Sequence, residues 1–173
     1  MRVMRAGRRP AVDRETSAAV GVPIDIEGPA RRCFVLRTVA QAMTEEVVRI
    51  DMDTRIEEII ERFRSTGFRH ALVIEEGAAV GVISDRDVLR HVSPFVGKMG
   101  ERNMDRTTLT RRAHQVMTRK LISVGPDSPA VEAAMLMHKH YISCVPVVNA
   151  DGECVGIFTW RNAIAFAADV LGG

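Results

Sequence analysis

The segment Val80-Gly81-Val82-Ile83-Ser84-Asp85-Arg86-Asp87 returns, in nearly every position, as Val155-Gly156-Ile157-Phe158-Thr159-Trp160-Arg161-Asn162. A pattern that recurs at fixed spacing is one structural unit used twice, so no residue can be given a role before the repeat is laid out. Upstream, Met43-Thr44 falls on Met117-Thr118 at an offset of 74 residues, which carries Val48 onto Ile122, Ile50 onto Val124 and Asp53 onto Asp127. The offset rises by one residue inside the following hairpin turn, so that Gly81 meets Gly156.

Each copy predicts the same order of elements. Ile56, Ile59, Ile60 and Phe63 form an i, i+3, i+4, i+7 stripe, matched by Ala130, Ala133, Ala134 and Met137, and each stripe reads as a short amphipathic helix. Thr54 with Glu57 reads as a capping box, and Ser128-Pro129 as an N-cap followed by proline at the first helical position. Two short apolar strands follow in each copy, at 71–74 and 80–83 and again at 145–148 and 154–158, before helices that begin at Asp87 and Asn162. Each unit is therefore β-α-β-β-α, and the fold class is α+β. Residues 94–112, rich in Gly and charge, read as a linker with one helical turn, and residues 1–38 as a largely irregular extension with a short strand at 33–36.

At 173 residues and 46% hydrophobic composition the chain has enough apolar content for one compact domain or two small packed ones. The longest obvious apolar run, Ala163 to Ala168, falls far short of the ~20 residues a membrane span requires. No uninterrupted apolar leader is present, and Asp13 and Glu15 argue against an organelle transit peptide, so the expected compartment is the cytoplasm. Cys33, Cys144 and Cys154 form no Cys-x-x-Cys pair and read as reduced thiols. The net charge of +2 conceals an asymmetry: residues 1–37 hold eight Arg against Asp13, Glu15, Asp25 and Glu27. Such a basic segment fits a solvated extension or contact with an anionic surface. Nucleic-acid binding through it is the last-ranked reading, because the arginines lack interleaved aromatics.

The Met-Thr start, the Asp-Thr/Ser before a helix, the valine-rich strand and the Gly-h-h-Ser/Thr-x-x-Asp/Asn turn together resemble the cystathionine-beta-synthase (CBS) domain, whose copies come in tandem pairs. Residues 39–93 resemble the first copy and 113–173 the second. The resemblance implies two units packed about a pseudo-two-fold axis, with two clefts between them that in many members hold adenosine compounds. It also implies a regulatory, energy-sensing module with no catalytic activity of its own, commonly a homodimer, that passes occupancy to a regulated enzyme or transporter. The expected ligand is AMP, ADP, ATP or S-adenosylmethionine, bound reversibly; no covalent cofactor or metal is expected.

Carried over position by position, the resemblance assigns ribose contacts to Ser84 and Asp87 in one copy and to Thr159 and Asn162 in the other, with Asn162 making the weaker site because it lacks the charge. Arg69 and His70, just before a strand, are phosphate candidates, as are Arg86 and Arg161 in the turns; Val145 and Pro146 would form an apolar wall. Bland readings stand beside these. Ser/Thr-x-x-Asp is also a helix cap, although Asp and Asn are short for the usual Glu/Gln partner. Arg69 is equally a surface charge and His70 a satisfied strand residue. Trp160 fits either a stacked base or a dimer face. Enzyme readings are weak: His138 and His140 point to different helix faces, no Gly-rich phosphate loop follows a strand, and Cys144 on an apolar strand reads as packing. A ligand-free structural or dimerisation module is the main alternative.

Overall fold

The computed structural model describes residues 37–172; most of the Arg-rich segment, Cys33 and the strand expected at 33–36 lie outside the described residues. The first repeat builds β1 (Val48–Asp51), α1 (Ile56–Thr66), β2 (His70–Glu75), β3 (Ala78–Ser84) and α2 (Asp85–His91). Short helices α3 (Asn103–Thr107) and α4 (Ala113–Val116) follow, then α5 (Ala130–His140), β4 (Cys144–Val148), β5 (Cys154–Thr159) and α6 (Trp160–Gly172). α3 supplies the helical turn expected in the linker, where Ser93 Oγ donates to Asp105 Oδ1 at 2.6 Å.

The apolar stripes act as the spacing predicts. Ile56 and Ile59 are fully buried and α1 ends at Gly67, whose φ of +71° is the left-handed cap that glycine adopts without a Cβ penalty. β1 pairs parallel with β2, and β2 antiparallel with β3. In the second repeat β4 and β5 form the matching hairpin, but the counterpart of β1 is reduced to a single parallel bridge between Val124 and Val147. Two prolines explain the truncation: Pro146 stands in β4 where β2 has Leu72 and has no N–H to donate toward Ile122, and Pro126 closes the other end. Pro126 stands two residues after Val124, where the first repeat has Met52, and it has no N–H to extend a ladder.

Four helix starts differ from expectation. Thr54 does not cap α1; its Oγ1 accepts from Asp51 N at 3.1 Å and closes the preceding turn, while Pro129 stands just before α5 without a side-chain cap. α2 and α6 begin at Asp85 and Trp160, two residues before the predicted starts, because Ser84 and Thr159 are the residues that cap them.

The halves exchange their leading segments. Val39, at the head of the first repeat, is fully buried in the core of the second, beside Met137 and Phe158, and its N–H donates to Ser128 O at 2.8 Å. Reciprocally, Ala113, Val116 and Met117 lie in the core of the first repeat, where Ala113 N donates to Thr54 O at 2.8 Å. Next along the chain, Thr44 and Ile157 exchange two backbone hydrogen bonds of 2.9 Å, and Thr118 and Val82 exchange two of 2.9 and 3.1 Å. These reciprocal bridges are the pseudo-two-fold relation in backbone form. They also account for the repeated glycines: a Cβ on Gly81 would overlap Met117, and one on Gly156 would stand 2.7 Å from Met43 Sδ and 2.9 Å from Thr44 O. Between the sheets, Leu72, Ala79, Leu121, Cys144, Cys154 and Ile157 form a buried apolar seam.

Candidate functional site

Because each leading segment crosses to the far hairpin, a cleft opens on either side of the seam. The first has a volume of about 470 Å³ and takes Ser84, Arg86, Asp87 and Arg90 from one repeat and Lys120, Ile122, Tyr141 and Pro146 from the other. The second, of about 360 Å³, takes Thr44, Glu46, Arg69 and Arg86 from the first repeat and Thr159 and Arg161 from the second. Both volumes lie in the range of small-molecule sites. His70, Arg86, Ser143 and Trp160 line both clefts and so form the wall between them.

The Ser/Thr-x-x-Asp/Asn turns cap their helices in both copies, short side chains notwithstanding. Asp87 Oδ2 accepts from Ser84 N at 2.9 Å and from Ser84 Oγ at 2.6 Å, and Asn162 Oδ1 accepts from Thr159 N and Oγ1 at the same distances. What remains of each side chain differs. Asn162 Nδ2 donates to Ala42 O at 2.8 Å and to Thr44 Oγ1 at 3.1 Å, so both its hydrogens are used on the leading segment of the first repeat. Asp87 has no hydrogen to offer the corresponding Val116 carbonyl. Its Oδ1 lies outside the cap and forms an ion pair with Arg90 Nη1 at 3.8 Å, and both residues line the first cleft.

The other predicted residues divide unevenly. Arg69 pairs with Asp85 at 3.7 Å and belongs to the second cleft, as does Arg161. His70 Nε2 and Ser143 Oγ form a 2.9 Å hydrogen bond across the shared wall. Burial lowers the His70 pKa, outweighing the opposite pull of Asp85 and Asp87. Pro146, itself fully buried, backs the first cleft, whereas Val145 is fully buried in the core of the second repeat. Adjacent strand residues point to opposite faces, so the two could not share one wall. Burial pushes the Cys144 thiol up to about 12, which keeps it protonated and unreactive.

Sequence reasoning passed over Lys120 and Arg90. Lys120 is the repeat partner of Glu46, so the same position carries a cation in the first cleft and a carboxylate in the second. Laying the repeat over this position would have exposed the charge reversal. Among the described residues no helix is long and apolar enough to cross a membrane.

The CBS domain pattern matches residues 39–94 and 113–169. A CBS domain-containing protein of Dictyostelium discoideum is 26% identical over 135 residues, covering 77% of this chain and 92% of its own length. Arabinose 5-phosphate isomerase KpsF of Escherichia coli O6:H1 is 29% identical over 71% of this chain, which spans only 35% of that enzyme. Among solved structures, CBSX2 in complex with AMP superposes with a TM-score of 0.61 at 25% identity, over 78% of this chain and 98% of that one. With both copies matched in register with the repeat, and with the observed fold that of a CBS pair, this chain belongs to the CBS domain family.

Proposed function

We propose that the protein is a regulatory module that binds one adenine nucleotide or adenosyl compound in the first cleft and passes its occupancy to a partner. The observation that carries this reading is Asp87 at a cleft that also presents Arg86, Arg90 and Lys120, its Oδ1 outside the cap and paired only at 3.8 Å with Arg90 Nη1. A carboxylate oxygen with open valence accepts from ribose hydroxyls, and three cations favour a phosphate tail. Ile122 and Ile142 offer apolar surface to a base. The AMP complex of CBSX2 supports the ligand class. The second cleft has Arg69, Arg86 and Arg161 beside Glu46, but no carboxylate at the Asp87 position: Asn162 does not line it and its amide hydrogens are used on Ala42 and Thr44.

Occupancy is read through the bridge between Thr118 and Val82, since both residues line the first cleft while tying the repeats together. A ligand shifts that packing only by as much as it prefers one arrangement over another. The test is calorimetric titration with AMP, ATP and S-adenosylmethionine, repeated on Asp87→Asn. Asn162 demonstrates that asparagine makes this cap, so the variant keeps its fold and melting temperature. The expected result is one equivalent bound by the wild type and at least tenfold weaker binding by the variant. Undiminished affinity in Asp87→Asn would remove Asp87 from the site. No heat with any of the three ligands would favour a ligand-free structural pair instead.

A further inference from the structure

The repeat relates two helix ends that border the clefts: Gly67 closes α1 and Tyr141 closes α5, both in the left-handed region, at φ +71° and +54°. Glycine takes that conformation freely, whereas for a bulky aromatic side chain it is a strained outlier. Burial gives nothing in return, because Tyr141 is 94% exposed, and its one ring neighbour among the described residues is His138, at 6.5 Å between centroids. A residue held in strain at the mouth of a cavity, without packing to account for it, points to a role toward something outside the chain.

The rest of the rim supports the same direction. Tyr141, His138 and Trp160 line the first cleft, and their repeat counterparts are Gly67, Arg64 and Asp85. The indole of Trp160 is anchored by its Nε1–H, which donates to Ile142 O at 3.2 Å, yet the residue remains 39% exposed. One aromatic ring is therefore fixed and a second, at the end of a strained cap, is unpacked.

We propose that Tyr141 and Trp160 form an aromatic clamp for the purine base, which makes the first cleft selective for the base and not only for ribose and phosphate. This rests on the reading that an adenine nucleotide enters the first cleft. Stacking on an aromatic side chain strengthens nucleotide binding by roughly tenfold.

Two signatures of opposite sign test the clamp. Tyr141→Gly relieves the backbone, so its melting temperature rises by about 2–4 °C, while its affinity for AMP falls by roughly tenfold. Binding of ribose 5-phosphate, followed by competition, stays unchanged, and Tyr141→Phe retains AMP affinity within about twofold. Trp160 is the single tryptophan, so AMP quenches intrinsic fluorescence and ribose 5-phosphate does not. A Tyr141→Gly protein that melts higher and binds AMP as well as the wild type overturns the clamp and leaves the nucleotide reading intact. Equal weakening of AMP and ribose 5-phosphate overturns it as well, since that reports a collapsed pocket and not a lost stack. Failure of the wild type itself to bind AMP, ATP or S-adenosylmethionine removes the nucleotide reading and the clamp together.

Discussion

Asp87 and Asn162 cap their helices with one oxygen each, at matching distances, yet the remaining atom of one pairs loosely with Arg90 beside a cleft while that of the other ties the second repeat to the leading segment of the first. The difference between a carboxylate and an amide at one repeated position thus separates an open site from a structural joint. A repeat duplicates a local folding solution; function depends on the valences that solution leaves unused. Lys120 against Glu46 and Tyr141 against Gly67 extend the contrast along the same two clefts.

The strongest way to break this comparison is to exchange the residues. Asn162→Asp replaces two donors by a charge facing the Ala42 carbonyl, and a destabilisation of about 3 kcal/mol is expected from denaturant unfolding. It should create no second nucleotide site. Asp87→Asn, by contrast, should leave unfolding unchanged, and equal effects from the two exchanges would erase the distinction between site and joint.

A smaller effect separates the two glycines. In Gly156→Ala the new methyl meets the Thr44 backbone oxygen, which cannot move without breaking its bridge to Ile157, and a loss of about 2 kcal/mol is expected. Gly81→Ala meets only the flexible Met117 side chain, and part of its cost is offset by reduced unfolded-chain entropy, so it should stay within about 1 kcal/mol of the wild type. Thermal or urea melts of the pair measure the gap.

The smallest effect concerns pH. His70 has a folded pKa below its ordinary value of 6.5, chiefly through burial, so the unfolded chain binds the proton more readily. The stability this neutral histidine contributes is present above pH 6.5 and is lost as pH falls below it toward the folded pKa. Its repeat counterpart Cys144 does not titrate there, its pKa standing at about 12. Melting temperature should fall on acidification from pH 7 to 5.5, and less steeply in His70→Gln; identical slopes would place the titrating group elsewhere.

Much of this was legible in the sequence, because a repeat reports its own elements twice. The hairpins, the amphipathic helices and the Ser/Thr-x-x-Asp/Asn turns all lie where the offset puts them. What escaped has particular causes. The strand expected around Val124 is one bridge long because Pro146 and Pro126 each lack a donor, and Val145, expected beside Pro146 at the cleft, lies in the core because neighbours on a strand face opposite ways. Asp and Asn are short for a capping box, yet Asp87 and Asn162 reach the Ser84 and Thr159 N–H groups at 2.9 Å. The division of labour between the clefts depends on which carbonyl lies opposite an amide, and this no single-chain pattern records.

The crossed placement of Val39 and of Ala113 through Met117 has a consequence for how such a unit travels between proteins. Either repeat taken alone would leave its interior missing a wedge that only its sibling supplies. The transferable piece is accordingly the interlocked couple, and a graft into a host chain must begin ahead of the first wedge and run beyond the last helix.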